Sequence, residues 1–169
     1  QEAILRSEDG DTVEVLPGTY TGEGNTGVEF LGKKVTLKSQ DGPETTIIDC
    51  EGSGRAFHFH QGETQETILD GFSIINGLAP VETYGPHDYE MSYGGAVFVD
   101  DASPTIRNLD ISACTADFGG GIALRKSDAP VSDVRIDGNN APYMGGGLAL
   151  VYSNPLLERI TITENHSAQ

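Results

Sequence analysis

The chain has 169 residues, a length that suits one domain, and only 37% of them are apolar, with 22 glycines and no tryptophan. Its formal net charge of −16, from 26 acidic against 10 basic residues, repels nucleic acid and anionic membranes, and no run approaches the roughly 18 apolar residues of a membrane span. Two cysteines, Cys50 and Cys114, are too few for a disulfide framework and read as buried thiols.

Glu2-Ala3-Ile4-Leu5-Arg6 has apolar residues to one side and predicts a short helical turn, and residues 1–10 read as an N-terminal cap. Asp9-Gly10-Asp11 is a turn signal, after which Thr12-Val13-Glu14-Val15-Leu16 alternates with Val13 and Val15 inward. Pro17-Gly18 breaks that strand, and short runs follow at Val28-Glu29-Phe30, Val35-Thr36-Leu37 and Thr46-Ile47-Ile48-Asp49. Each is bounded by Gly, Pro or Asp, which is strand punctuation. Ala56-Phe57-His58-Phe59-His60 alternates so that Phe57 and Phe59 face inward and His58 and His60 share the outer face. Two imidazoles on one face are the start of a transition-metal site but do not complete one.

After Ile68-Leu69-Asp70-Gly71-Phe72-Ser73-Ile74 the rhythm breaks, and residues 79–92 match nothing else in the chain. We read them as an inserted loop of about a dozen residues, a length that is often functional. From Tyr93 a glycine-rich element recurs at Gly94-Gly95-Ala96, Gly119-Gly120-Gly121 and Gly145-Gly146-Gly147, in steps of 25 and 26 residues (119 − 94 and 145 − 119). Each copy is followed by an apolar strand, a proline turn (Pro104, Pro130, Pro155) and a second strand, Leu109-Asp110-Ile111, Val134-Arg135-Ile136 or Ile160-Thr161-Ile162. A fixed period near 25 is the signature of a solenoid.

Stacked coils place Val97 over Ile122 over Leu148, and Val99 over Leu124 over Leu150, as inward ladders. Cys114, Asn139 and Asn165 recur at one bend, where asparagine hydrogen-bonds along its own column. The step from proline to second strand slips by one residue in the middle copy, so Thr105, Val131 and Leu156 have no assigned face. Asn165-His166-Ser167 fits a glycosylation acceptor, but its asparagine belongs to that internal column. The chain stops where another glycine-rich copy is expected, which predicts further coils in the natural protein.

The segments Asp9 to Tyr20, Asp41 to Asp49 and Leu69 to Gly77 resemble the opening coils of right-handed parallel β-helix proteins of the pectin-lyase-like superfamily. The glycine-rich elements, with Ile136 and Asn139 and with Ile162 and Asn165, are similar to the repeats of chlamydial polymorphic outer-membrane proteins and of large secreted bacterial β-helix proteins. The expected fold is all-β, a right-handed parallel β-helix of about six to seven coils over residues 1–169. The resemblance implies an extracellular or cell-surface protein of bacterial or archaeal type.

The superfamily's enzymes act on acidic polysaccharides, so their catalytic patterns are the test of activity. Asp100-Asp101 resembles their paired aspartates, and Arg125 and Lys126 stack near them by repeat position, as a lyase would need. The Gly-His-Gly and Arg-x-Lys elements of the hydrolases are not in the sequence. We therefore expect a non-catalytic module for adhesion, display or spacing, with Asp100, Asp101, Arg125 and Lys126 as candidate catalytic residues should it be an enzyme. The alternative is a polysaccharide-binding or polysaccharide-cleaving module using the 79–101 region.

Tyr84, His87, Asp88, Tyr89 and Glu90 are its candidate ligand residues, since aromatic faces stack on sugars. Asp88, Glu90, Asp100 and Asp101 are candidate calcium ligands, although no cofactor is required by this reading. Expected partners are a polysaccharide, a cell-surface molecule, or another copy through the solenoid ends. A groove with convergent carboxylates beside 79–92 favours ligand binding, and a loop lying flat on the sheet favours a scaffold.

Overall fold

In the computed structural model, which describes residues 1–84 and 89–168, one short helix α1 (Glu2–Arg6) precedes seventeen strands. These are β1 (Thr12–Val15), β2 (Gly18–Tyr20), β3 (Val28–Glu29), β4 (Thr36–Ser39), β5 (Thr46–Asp49), β6 (Phe57–Phe59), β7 (Ile68–Ile75), β8 (Glu82–Tyr84) and β9 (Tyr89–Met91). The rest are β10 (Val97–Asp100), β11 (Thr105–Ser112), β12 (Ile122–Arg125), β13 (Val131–Asp137), β14 (Asn140–Ala141), β15 (Leu148–Val151), β16 (Leu157–Thr163) and β17 (His166–Ser167). Strands this short bury too little surface alone, and stacking them coil on coil produces a parallel β-solenoid of about six turns.

One wall is the parallel row β1-β4-β7-β11-β13-β16, joined through β7 by β5 and β2, and the opposite wall is β3-β6-β10-β12-β15. The expected inward ladders are present: Val97 pairs with Ile122 and Ile122 with Leu148, and Val99 pairs with Leu124 and Leu124 with Leu150. Phe57, Phe59, Phe72, Leu69, Ile106 and Ile111 complete a core that is essentially inaccessible to water, with Phe30 stacked on Phe59 at 4.8 Å between ring centroids.

The glycine-rich element is turn hardware. Gly94, Gly119 and Gly145 adopt φ of 59, 64 and 66°, and a Cβ on Gly94 would meet the Val97 carbonyl oxygen at 2.1 Å. Their successors allow coils to touch: a Cβ on Gly120 would lie 2.4 Å from the Gly146 carbonyl oxygen.

Other corners reach the left-handed region without glycine. Asn108, Asp133 and Arg159 (φ 53, 56 and 52°) interrupt the long strands at equivalent places. Asp101, Lys126 and Tyr152 (φ 51, 49 and 51°) end three strands of the opposite wall. The interruption explains the apparent register slip. Ile106, Val131 and Leu157 pair across coils, each two residues before its left-handed neighbour, and only the distance from the proline varies.

The predicted bend column is also present. Asn139 Oδ1 accepts from Cys114 N–H at 2.9 Å, Asn165 Oδ1 accepts from Asn139 N–H at 2.9 Å, and both amides donate to carbonyls of the neighbouring coil. Cys114 Sγ accepts from Gly77 N–H at 3.3 Å, and both cysteines are buried free thiols. Among the described residues no helix is long and apolar enough to cross a membrane, which says nothing of β-barrels.

Candidate functional site

β8 and β9 pair antiparallel, the one pairing of that sense between named strands among the described residues. It leaves the walls in register. Asp70 and Arg107, on adjacent coils, are 37 residues apart, against 25 for Asp110 and Arg135. The excess of 12 (37 − 25) is the inserted segment, as its length in the sequence led us to expect.

The described strands of the hairpin pack on the outer face of the second wall around β10 and β12, where Tyr84 and Met91 meet Tyr93, Phe98 and Ala123. Phe98 points outward from β10, pairs with His58 in register, and is nonetheless fully buried. Tyr84 of the hairpin meets Tyr93 edge-on at 5.0 Å and Phe98 at 6.5 Å. Below them Arg55, 3% exposed, pairs with Glu82 at 2.8 Å and places its guanidinium 5.1 Å from the Phe98 ring. The Tyr84 hydroxyl also donates to Glu82.

Burial alone would raise the Glu82 pKa, but the Tyr84 hydrogen bond and the Arg55 charge outweigh it and hold the carboxyl below its usual value. Burial and the same Glu82 contact push the Tyr84 hydroxyl up. Tyr93 is likewise raised by burial.

Asp100 and Arg125 pair in register and form an ion pair. Arg125 also lies over Tyr84, 4.5 Å from the ring centroid, and 5.8 Å from that of Tyr93. These two predicted site residues are thus brought together as expected from repeat position, and each takes up the other's charge. Asp101 and Lys126 follow them as exposed left-handed corner residues. Tyr89 and Glu90 lie exposed on β9, and His87 and Asp88 fall outside the described residues.

At the base of the insertion a shallow groove of about 520 Å³ is lined in part by Leu78, Pro80, Val81, Ser92 and Asp117. The Asp117 carboxylate is engaged there, accepting from the Ser92 N–H and hydroxyl at 2.8 and 2.9 Å.

A stack of six aromatic rings runs along this face. His60, His58, Phe98, Tyr93, Phe118 and Tyr143 follow one another at centroid separations of 4.1, 5.0, 5.2, 4.9 and 5.9 Å, with neighbouring planes within 18°. At its far end Tyr143 is 69% exposed. At its near end His58 is pressed to a pKa of about 3 by burial first, then by the charges of Arg55 and His60. Beside it stands Glu29, paired in register with His58, its Oε1 3.4 Å from His60 Nε2.

Glu29, Arg55 and Glu82 escaped the sequence reading. Aligning Val28-Glu29-Phe30 with Phe57-His58-Phe59, both apolar-polar-apolar, would have placed Glu29 against His58. No local signal marks Arg55 or Glu82.

Compared with protein families, curated proteins and solved structures, the chain matches none.

Proposed function

We propose that the chain is a non-catalytic β-helix module of an extracellular or cell-surface protein, serving adhesion, display or spacing. The observation that carries this reading is the docking of the hairpin. The first strand of the segment that departs from the repeat is tied to the wall beneath it, with Glu82 engaged by Arg55 and by Tyr84. The pair that a lyase would need is spent in the same way, Asp100 on Arg125. Function has to be argued from a site rather than a fold, and these contacts describe a clamp. The kinship with pectin-lyase-like β-helices, carried by the opening coils, is part of the same proposal.

Incubation with polygalacturonate, alginate and other uronate polymers should release no unsaturated or reducing ends. Reproducible cleavage that disappears in Asp100→Asn would overturn the reading.

A second reading, polysaccharide binding, is favoured by the open end of the ring stack. Tyr143 presents a free face, and exposed aromatic faces hold sugar rings by stacking. A glycan array should then show binding that Tyr143→Ala abolishes. Binding indifferent to that change would remove Tyr143 from the argument.

A further inference from the structure

Three donors from two adjacent coils converge at the near end of the ring stack. The pairing of β3 with β6 sets Glu29 directly beside His58, and strand alternation brings His60 to the same face two residues on. One ligand atom from each of Glu29, His58 and His60 lies within 4.8 Å of the other two. We infer that these three residues form a binding site for a divalent transition metal of the zinc type, with a fourth position open to water.

The distances suit that ion. Tetrahedral zinc, with bonds of about 2.0–2.2 Å to nitrogen and oxygen, separates its ligand atoms by roughly 3.3 Å. The 3.4 Å between Glu29 Oε1 and His60 Nε2 already meets this. His58 supplies the second observation: its Nε2 is buried and has no hydrogen-bond partner. An unpaired buried ring nitrogen is costly unless something coordinates it or bonds to it.

The support around the donors is arranged for binding. His58 is held between the His60 and Phe98 rings at 4.1 and 5.0 Å, so its orientation is set by packing. His60 is at the surface, stacked on His58, with its Nε2 3.4 Å from Glu29 Oε1. The Gln61 amide donates to Glu29 Oε2 at 3.5 Å, the carboxylate oxygen other than the one beside His60. Arg55, whose charge acts on His58, is paired with Glu82.

Two imidazoles and one carboxylate suit zinc, copper or nickel. Calcium requires six to eight oxygen ligands and has no fit here. The inference stands independently of the scaffold reading, since a structural metal and a catalytic one would use the same three ligands.

The test is calorimetric titration of the metal-stripped protein with Zn²⁺, together with the visible spectrum of the Co²⁺ form. One equivalent should bind, with the d–d bands of a tetrahedral site. His60→Ala and Glu29→Gln should each weaken binding by at least about tenfold. Both changes fall on part-exposed side chains, and unchanged melting in chelator would show the fold intact. The double variant His87→Ala/His166→Ala, which removes the other two histidines, should bind as the parent does. Absence of saturable binding would overturn the inference. So would binding that survives His60→Ala and Glu29→Gln, or that is lost in the double variant.

Discussion

Removing the Asn139 side chain takes from the buried Cys114 N–H its side-chain acceptor and from the Ile111 and Asp137 carbonyls the bonds that the amide donates. Asn139 is 1% exposed, so water does not replace these bonds. Asn139→Ala should lower stability by roughly 2–4 kcal/mol, measured by urea denaturation. Asn165→Ala, at a more open bend, should lower it by less. The cysteine in the same column has its own signature. Burial pushes both Cys50 and Cys114 up to about 12, and the thiolate is the reactive form. Iodoacetamide at pH 8 should leave both unmodified in the folded protein and label both in denaturant, as read by mass spectrometry. Rapid labelling of the native chain would show the burial to be wrong. The asparagine column was legible because one residue type recurs at one period. The left-handed corners at Asp101, Lys126 and Tyr152 were not, since backbone geometry sets them and three unrelated side chains occupy them.

At the scale of elements, the hairpin is held by an ion pair that is hidden on one side: the Arg55 side chain is 4% exposed and that of Glu82 33%. Removing one partner strands the other. Glu82→Ala should destabilise by about 3–5 kcal/mol, whereas Arg55→Met with Glu82→Leu should recover most of the loss, because an apolar pair has no desolvation cost. A double-mutant cycle in urea separates the two outcomes, and equal losses for single and double variants would refute the clamp. The existence and length of the insertion could be read from the chain, since residues 79–92 break a rhythm that every neighbour keeps. Its resting place could not. That depends on Arg55, 27 residues before Glu82, and on rings presented by β10, contacts to which periodicity is blind.

For the molecule as a whole, stability is close to a sum over coils and their interfaces. In the 169-residue chain by itself the middle coils are covered on both sides, whereas β16 is exposed at nearly every position, and Ile162 and Leu150 are 50% and 43% exposed. Amide hydrogen exchange should therefore be slowest in β10 to β13 and fastest in β16 and β17, following a gradient along the axis. Uniform protection from end to end would mean that the solenoid opens as one cooperative unit. The fold class itself was legible because a repeat states the same information several times. The candidate site is a single event in the sequence and had no such redundancy. The unbroken register across the hairpin, with Leu109 beside Phe72 as though nothing lay between, has a consequence for how such a chain can change in length. Within a paired strand, one added residue would turn a row of inward side chains outward. Growth is therefore confined to the turns between strands, which absorb the single residue that separates the step from Val131 to Leu157 from the step between Ile106 and Val131, and which at this corner take up a whole hairpin without disturbing the stack.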